Sequence, residues 1–281
     1  MDILQILILA IVQGAAELLP VSSSAHVIVA EKLMGLDPTA PAMTLLLVML
    51  HTGTMFAVIA YFWRNWVETY FKSPHERRTN LIGIVTATVA TGIVGLTLQY
   101  LIKHIVANGD PHFEIEQLFG NSKLMAAALA AGGVLIILSS RIKERSGVEL
   151  SLKSSTLIGA VQGLCLPFRG FSRSGATIST GLVLGVSRRR AEEFSFALAV
   201  VLTPAVVAKE LYRLVKHQGI APGASFPSLI HMAAPGLLGM VFSFIAGLAA
   251  LRWLSSWLES GKWYLFGGYC LVASLIVLWV N

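Results

Sequence analysis

Charge is scarce in this chain. Asp, Glu, Lys and Arg make up 13% of its 281 residues, about half the ~25% of an ordinary soluble domain. With 55% hydrophobic residues and a mean hydropathy of +0.72, too few ionic groups remain to cover a water-facing surface. A soluble globule and a disordered chain are both excluded. Cysteine is nearly absent: Cys165 and Cys270 sit inside apolar runs, which excludes a disulfide framework and a thiolate zinc site. Met1-Asp2 leads directly into an apolar run with no basic n-region, so no cleavable signal peptide is expected. Positive charge is in excess, +6 with a pI near 9.5. In a membrane chain that excess reads as topology, and no nucleic-acid partner is expected.

What is abundant is apolar sequence. A membrane-crossing helix needs about 20 mostly apolar residues, and six stretches meet or approach that length: Ala42–Trp63, Leu81–Ile102, Leu124–Ser140, Phe194–Leu214, Leu229–Leu251 and Trp263–Val280. Several end in aromatics expected at an interface, namely Trp63 and Trp66, Trp253 and Trp257, and Trp263 and Tyr264. Two further apolar regions are interrupted, one by Pro20-Val21-Ser22-Ser23-Ser24 and the other by Pro167 through Ser174. Their halves are about 10 to 15 residues each, too short to cross, so both regions read as re-entrant hairpins. Polar, irregular backbone at membrane depth survives only where protein buries it or it lines a wet cavity. Function is therefore expected at these two breaks.

The interrupted regions resemble each other. Val12-Gln13-Gly14 recurs as Val161-Gln162-Gly163, and Met34-Gly35 aligns with Leu184-Gly185 after a one-residue shift. Each copy precedes three spans. A hairpin returns to its own side and three crossings end on the other, so the second copy is expected to be inverted. The expected fold is thus all-α: six transmembrane helices plus two re-entrant helical hairpins in an inverted-topology repeat. It forms a single membrane domain over 1–281. Repeat one is 1–140 with its hairpin at 3–35, and repeat two is 150–281 with its hairpin at 155–186. Of the 21 Lys and Arg, 13 fall on one side and 6 on the other, with Arg169 and Arg173 inside the second hairpin. The richer side is expected to be cytoplasmic, with both termini and the first hairpin's mouth outside.

The first break holds Gln13 and Glu17, four apart and so on one helical face, then Ser22, Ser23, Ser24 and His26. A carboxylate in lipid costs several kcal/mol, so Glu17 is expected to have a partner and a function. A helix-capping or ion-pairing Glu is the bland alternative. The serines precede a half-helix whose N–H groups favour an anion, although serines also cap helices generally. His26 is placed to transfer protons. The second break holds Ser172, Arg173, Ser174 and Thr177. A guanidinium in an apolar region demands an anion, and its planar fork suits phosphate oxygens. Arg169 is as well suited to snorkelling as to substrate contact. The copies differ where chemistry requires it: one supplies an acid, a His and serines, the other an Arg and hydroxyls. Together these groups suit phosphoryl transfer. A transporter or lipid flippase on the same repeat is the main rival. Outside the breaks, His51-Thr52-Gly53 either lines the cavity or helps helices pack closely, with packing the favoured reading, and Arg188-Arg189-Arg190 is expected to anchor at anionic headgroups.

Gln13-x-x-x-Glu17 with Pro20-Val21-Ser22-Ser23-Ser24-Ala25-His26, together with Gly170-Phe171-Ser172-Arg173-Ser174-Gly175-Ala176-Thr177, resembles the undecaprenyl-diphosphatases, also called bacitracin-resistance proteins. The resemblance implies removal of the terminal phosphate of undecaprenyl diphosphate at the outer face of the plasma membrane, recycling the cell-wall lipid carrier. It also implies a divalent cation, magnesium or calcium. By motif position, Glu17 is the acidic residue, which activates Ser23 or binds the cation. Gln13 fills the Glu-or-Gln position, and either Ser23 or His26 is the nucleophile. Ser172, Arg173 and Thr177 bind phosphate, with Ser22, Ser24 and Ser174 beside them. The implied partners are the polyprenyl diphosphate and membrane lipids; a homodimer is compatible with this reading. Ser24-Ala25 before His26, and Arg169 before Gly170, depart from the family's usual motifs.

Overall fold

The computed structural model describes residues 2–37, 41–70, 73–105, 121–142, 150–168, 170–218 and 226–279, with the backbone alone at 41–42, 209–211, 213–218 and 226–233. Arg169, Lys72, Lys143, Arg145 and Val280 lie outside the described residues. Those that are described are almost wholly helical. In chain order the helices are α1 (Ile3–Leu18), α2 (Ser23–Leu33), α3 (Pro41–Tyr70), α4 (Pro74–Ile105), α5 (Ser122–Ser140), α6 (Leu152–Cys165), α7 (Arg173–Val183), α8 (Arg188–Gln218), α9 (Phe226–Glu259) and α10 (Trp263–Trp279).

Five helices carry stretches long and apolar enough to cross a bilayer: Met43–Tyr70, Pro74–Ile105, Ser122–Ser140, Arg188–Ala208 and Ala234–Glu259. The chain is a multi-pass membrane protein. Its α4 shows why: Val85, Val89, Ile93, Leu96 and Tyr100 recur along one face, all exposed, a stripe that water would not tolerate but lipid does. The sixth expected span folds as α10, 17 residues long, at the short limit for a crossing. Trp263 departs from the expectation that it marks an interface. It is buried, and its indole N–H lies 3.2 Å from the hydroxyls of both Ser139 and Ser179. Tyr264 beside it is exposed.

Both interrupted regions fold as pairs of short helices, and local chemistry explains each break. Pro20 has no N–H to donate and its ring opposes helical continuation. The chain turns there with Val21 N–H donating to the Leu19 carbonyl and with Ser22 at φ 66°. In the second region Gly170 takes φ 108°, and a Cβ there would run into the carbonyl of Met125, so glycine is required twice over. The returning helices end alike. Gly35 (φ 64°) and Gly185 (φ 82°) each close a Schellman motif. Leu36 N–H donates to Glu31 and Gly35 N–H to Lys32; Val186 N–H donates to Gly181 and Gly185 N–H to Leu182.

The described chain forms two compact units. The first comprises Met1–Leu18, Ser23–Trp63 and Ala199–Trp253. Its core gathers Ile6, Leu9 and Ala10 of α1 with Val27 of α2 and Met43, Leu46 and Leu50 of α3. Here α1 approaches α9 so closely that a Cβ on Gly14 would stand 2.7 Å from the Ser243 carbonyl oxygen.

The second unit comprises Leu19–Ser22, Arg64–Leu198 and Leu254–Asn281. There α6 meets α4, with Gly163 facing the Thr91 carbonyl and Gln162 Nε2 donating to Thr91 Oγ1 at 3.1 Å. Helices α5 and α10 approach through a reciprocal pair. A Cβ on Gly133 would stand 2.8 Å from the Gly267 carbonyl oxygen, and one on Gly267 would stand 2.7 Å from that of Gly133.

Candidate active site

In the first unit, the last turn of α1 and the first turn of α2 face each other across the Pro20 break. Gln13 and Glu17 share one face of α1, as their spacing dictates, and Gln13 Nε2 donates to Glu17 Oε2 at 3.2 Å. Ser23 opens α2, and its hydroxyl donates to the same oxygen at 2.6 Å. A third group arrives from α3: His51 Nε2 lies 3.8 Å from Glu17 Oε2. His51 Nδ1 is 2.8 Å from the Leu47 carbonyl. A carbonyl can only accept, so Nδ1 carries a proton and Nε2 is the nitrogen turned to the carboxylate. Gln13 is buried, while Glu17 and His51 keep side-chain exposures of 21% and 34%. The cluster is reachable from outside the protein. His26 follows Ser23 by one turn of α2 and is half-buried, as is Ser24.

For His51 the sequence reading prefers packing over the cavity-lining role. Packing was expected of His51-Thr52-Gly53, and Gly53 does pack, directly against the Met240 backbone. His51 instead turns to the acid. The available signal was a lone ionisable group in the middle of an otherwise apolar span.

The second motif occupies the start of α7, in the second unit. Ser172 caps the helix, its hydroxyl accepting from Gly175 N–H at 3.2 Å. Ser174 Oγ donates to the Leu19 carbonyl at 3.3 Å, so the turn interrupting the first hairpin rests on the motif of the second. Pro20 also lies against Gly175, and Cys270 Sγ donates to the Pro20 carbonyl at 3.2 Å. Thr177 Oγ1 donates to the Arg173 carbonyl at 2.8 Å and lies 2.6 Å from Ser195 Oγ. Ser172, Ser174 and Thr177 are all buried, whereas Arg173 is half-buried. The hydroxyls thus hold the half-helix together, and Arg173 is the least buried of the four.

The basic triplet at the start of α8 also makes contacts within the protein. Arg189 Nε donates to Glu193 Oε1 at 3.0 Å, and Arg190 lies 3.6 Å from the other Glu193 oxygen. Arg190 also donates to Asn80 Oδ1, and Arg188 donates to the Glu259 carbonyl. Glu192 and Glu193 are both buried. Buried carboxylates need compensation; Glu193 draws in Arg190, whose side chain is 19% exposed, while Arg189 pairs with Glu193 from an exposed position.

A model of the family described as bacitracin resistance protein BacA matches residues 6–276, a range containing both breaks. The chain belongs to the BacA family. It is 63% identical over 278 residues to undecaprenyl-diphosphatase 2 of Acinetobacter baylyi, covering 99% of this chain and 98% of that protein. It is 33% identical over 288 residues to undecaprenyl-diphosphatase 1 of Burkholderia pseudomallei, covering 96% and 94%. To the undecaprenyl-diphosphatase of Korarchaeum cryptofilum it is 31% identical over 294 residues, covering 99% of each. In this BacA-family chain the Glu17–Ser23 pair and the capped Arg173 half-helix therefore stand inside the family match.

Proposed function

We propose that this chain is a membrane phosphatase that hydrolyses undecaprenyl diphosphate to undecaprenyl phosphate and inorganic phosphate, recycling the cell-wall lipid carrier and so conferring bacitracin resistance. Its relatives bear the name of that activity. The observation that carries the reading is the 2.6 Å hydrogen bond from Ser23 to Glu17 at the start of a half-helix. A hydroxyl at a helix N-terminus, already bonded to a carboxylate, is a nucleophile beside its base in a place that favours anions.

In the serine scheme, the amides at the start of α2 neutralise the diphosphate, and Arg173 is given the same task by its motif position alone. Ser23 Oγ attacks the terminal phosphorus as its proton passes to Glu17. The bond to the bridging oxygen breaks, and undecaprenyl phosphate leaves with the electron pair. Water then hydrolyses the phosphoserine, releasing phosphate and restoring Ser23, while His26 moves protons. In the alternative scheme His26 itself attacks phosphorus.

The residues fit a hard divalent cation. A single carboxylate flanked by an amide and a hydroxyl suits magnesium or calcium only when shared with substrate phosphates; among the described residues no group of three or more His, Cys, Asp or Glu gathers to hold the ion alone. If Glu17 is not the base, it would hold that ion, which supplies neutralisation of phosphate charge when bound.

The proposed frame is six spans plus two re-entrant hairpins in an inverted repeat, with the site open to the outer side. Three features support it: the matching Schellman caps at Gly35 and Gly185, the reciprocal contact of Gly133 with Gly267, and the paired Gln-Gly steps on α1 and α6. The biased Lys and Arg count supports the orientation.

The test is phosphate release from undecaprenyl diphosphate by detergent-purified protein with magnesium. Release is expected, and its loss in either Ser23→Ala or His26→Ala keeps that residue as a candidate nucleophile. Full activity in one variant eliminates the residue it removes. No release by the unaltered protein, with lipid movement in liposomes, would replace the enzyme by a flippase.

A further inference from the structure

Resting on that phosphatase reading, we propose that Ser195 and Phe196, consecutive residues of α8, are the positioning element of the phosphate-binding Arg173. Neither belongs to either break, and both are fully buried. The proton arrangement follows from counting. Thr177 has one hydroxyl proton and gives it to the Arg173 carbonyl, 2.8 Å away. The 2.6 Å contact between Thr177 Oγ1 and Ser195 Oγ then requires Ser195 to donate. Ser195 fixes Thr177, and Thr177 fixes the backbone of Arg173.

The next residue takes the other end. The guanidinium carbon of Arg173 lies 5.9 Å from the centroid of the Phe196 ring, within the ~6 Å reach of a cation–π contact. Apolar packing alone would leave this long side chain several rotamers. The ring's negative face favours those that keep the charge above it, so the guanidinium is oriented before the diphosphate arrives. Two neighbouring side chains on one rigid helix thus hold Arg173 at its carbonyl and at its charge. The remaining hydroxyls of the motif complete the support, since Ser172 caps α7 and Ser174 grips the Leu19 carbonyl.

The test replaces Phe196 with phenylalanines carrying one, two and three ring fluorines. These keep the ring's shape while draining its negative face. With undecaprenyl diphosphate and magnesium, kcat/KM is expected to fall stepwise, reaching about tenfold at three fluorines. Inhibition by inorganic phosphate should weaken in parallel. Ser195→Ala is expected to lower kcat/KM by about threefold with the same loosening of phosphate inhibition. A flat fluorine series in protein that still releases phosphate overturns the inference and leaves the phosphatase reading intact. No phosphate release from the unsubstituted protein overturns both.

Discussion

Ser23 Oγ and Glu17 Oε2 lie 2.6 Å apart across the break between α1 and α2. The pair is joined by a turn whose Leu19 carbonyl is held by Ser174 of the second motif. A covalent path of only a few residues thus keeps the Ser23 hydroxyl beside the carboxylate. Glu17→Gln preserves that geometry and removes the charge. If the carboxylate takes the Ser23 proton, kcat should fall by about 10²- to 10⁴-fold with the thermal midpoint unchanged. Steady-state phosphate release and a melting curve on the same sample check this. An amide variant retaining half of the activity would reject the base.

His51 acts on the same oxygen from farther away. At 3.8 Å, beyond hydrogen-bond reach, and one-third exposed, its contact with Glu17 is weak, worth about 1 kcal/mol or less. His51→Ala should therefore lower kcat about fivefold or less, while the KM for the lipid changes little. A loss as deep as that of Glu17→Gln would instead make His51 part of the chemistry.

Much of this was legible in the chain itself, and the reason is locality. The interruptions of the two hairpins, the helix order and the shared face of Gln13 and Glu17 all depend on residues within a few turns of one another. Long-range contacts were not legible. His51 reaches Glu17 from another helix, Arg190 reaches Asn80 over 110 residues, and the Trp66 indole reaches the Glu193 carbonyl over 127. Composition marks arginines at a helix start as surface groups. Only the fold shows that buried Glu193 has drawn Arg190 inward.

Glycine supplies a paired prediction, because two helical glycines meet opposite surroundings. A Cβ on Gly159 would run into the backbone of Ala87, whereas one on Gly92 would meet nothing within 4 Å. Backbone cannot yield as a flexible side chain does. Gly159→Ala should therefore cost about 3 kcal/mol or more by forcing α6 away from α4. Gly92→Ala should stabilise by about 0.5–1 kcal/mol through helix propensity alone. Thermal denaturation of the two variants in one detergent should move in opposite directions.

Arg190 provides the last expectation, and its sign depends on what is left behind. Its guanidinium lies 3.6 Å from a Glu193 carboxylate whose side chain is only 4% exposed, and it also faces the Tyr70 ring at 5.3 Å. Arg189 still reaches Glu193 but is largely exposed, so it compensates weakly. Arg190→Ala should cost about 3 kcal/mol, chiefly because a buried charge loses its partner. If that cause is right, adding Glu193→Gln removes the stranded charge and recovers part of the loss. Had the cost come from lost packing on Tyr70 instead, the second substitution would recover nothing, and the melting temperatures of the single and double variants separate the two causes.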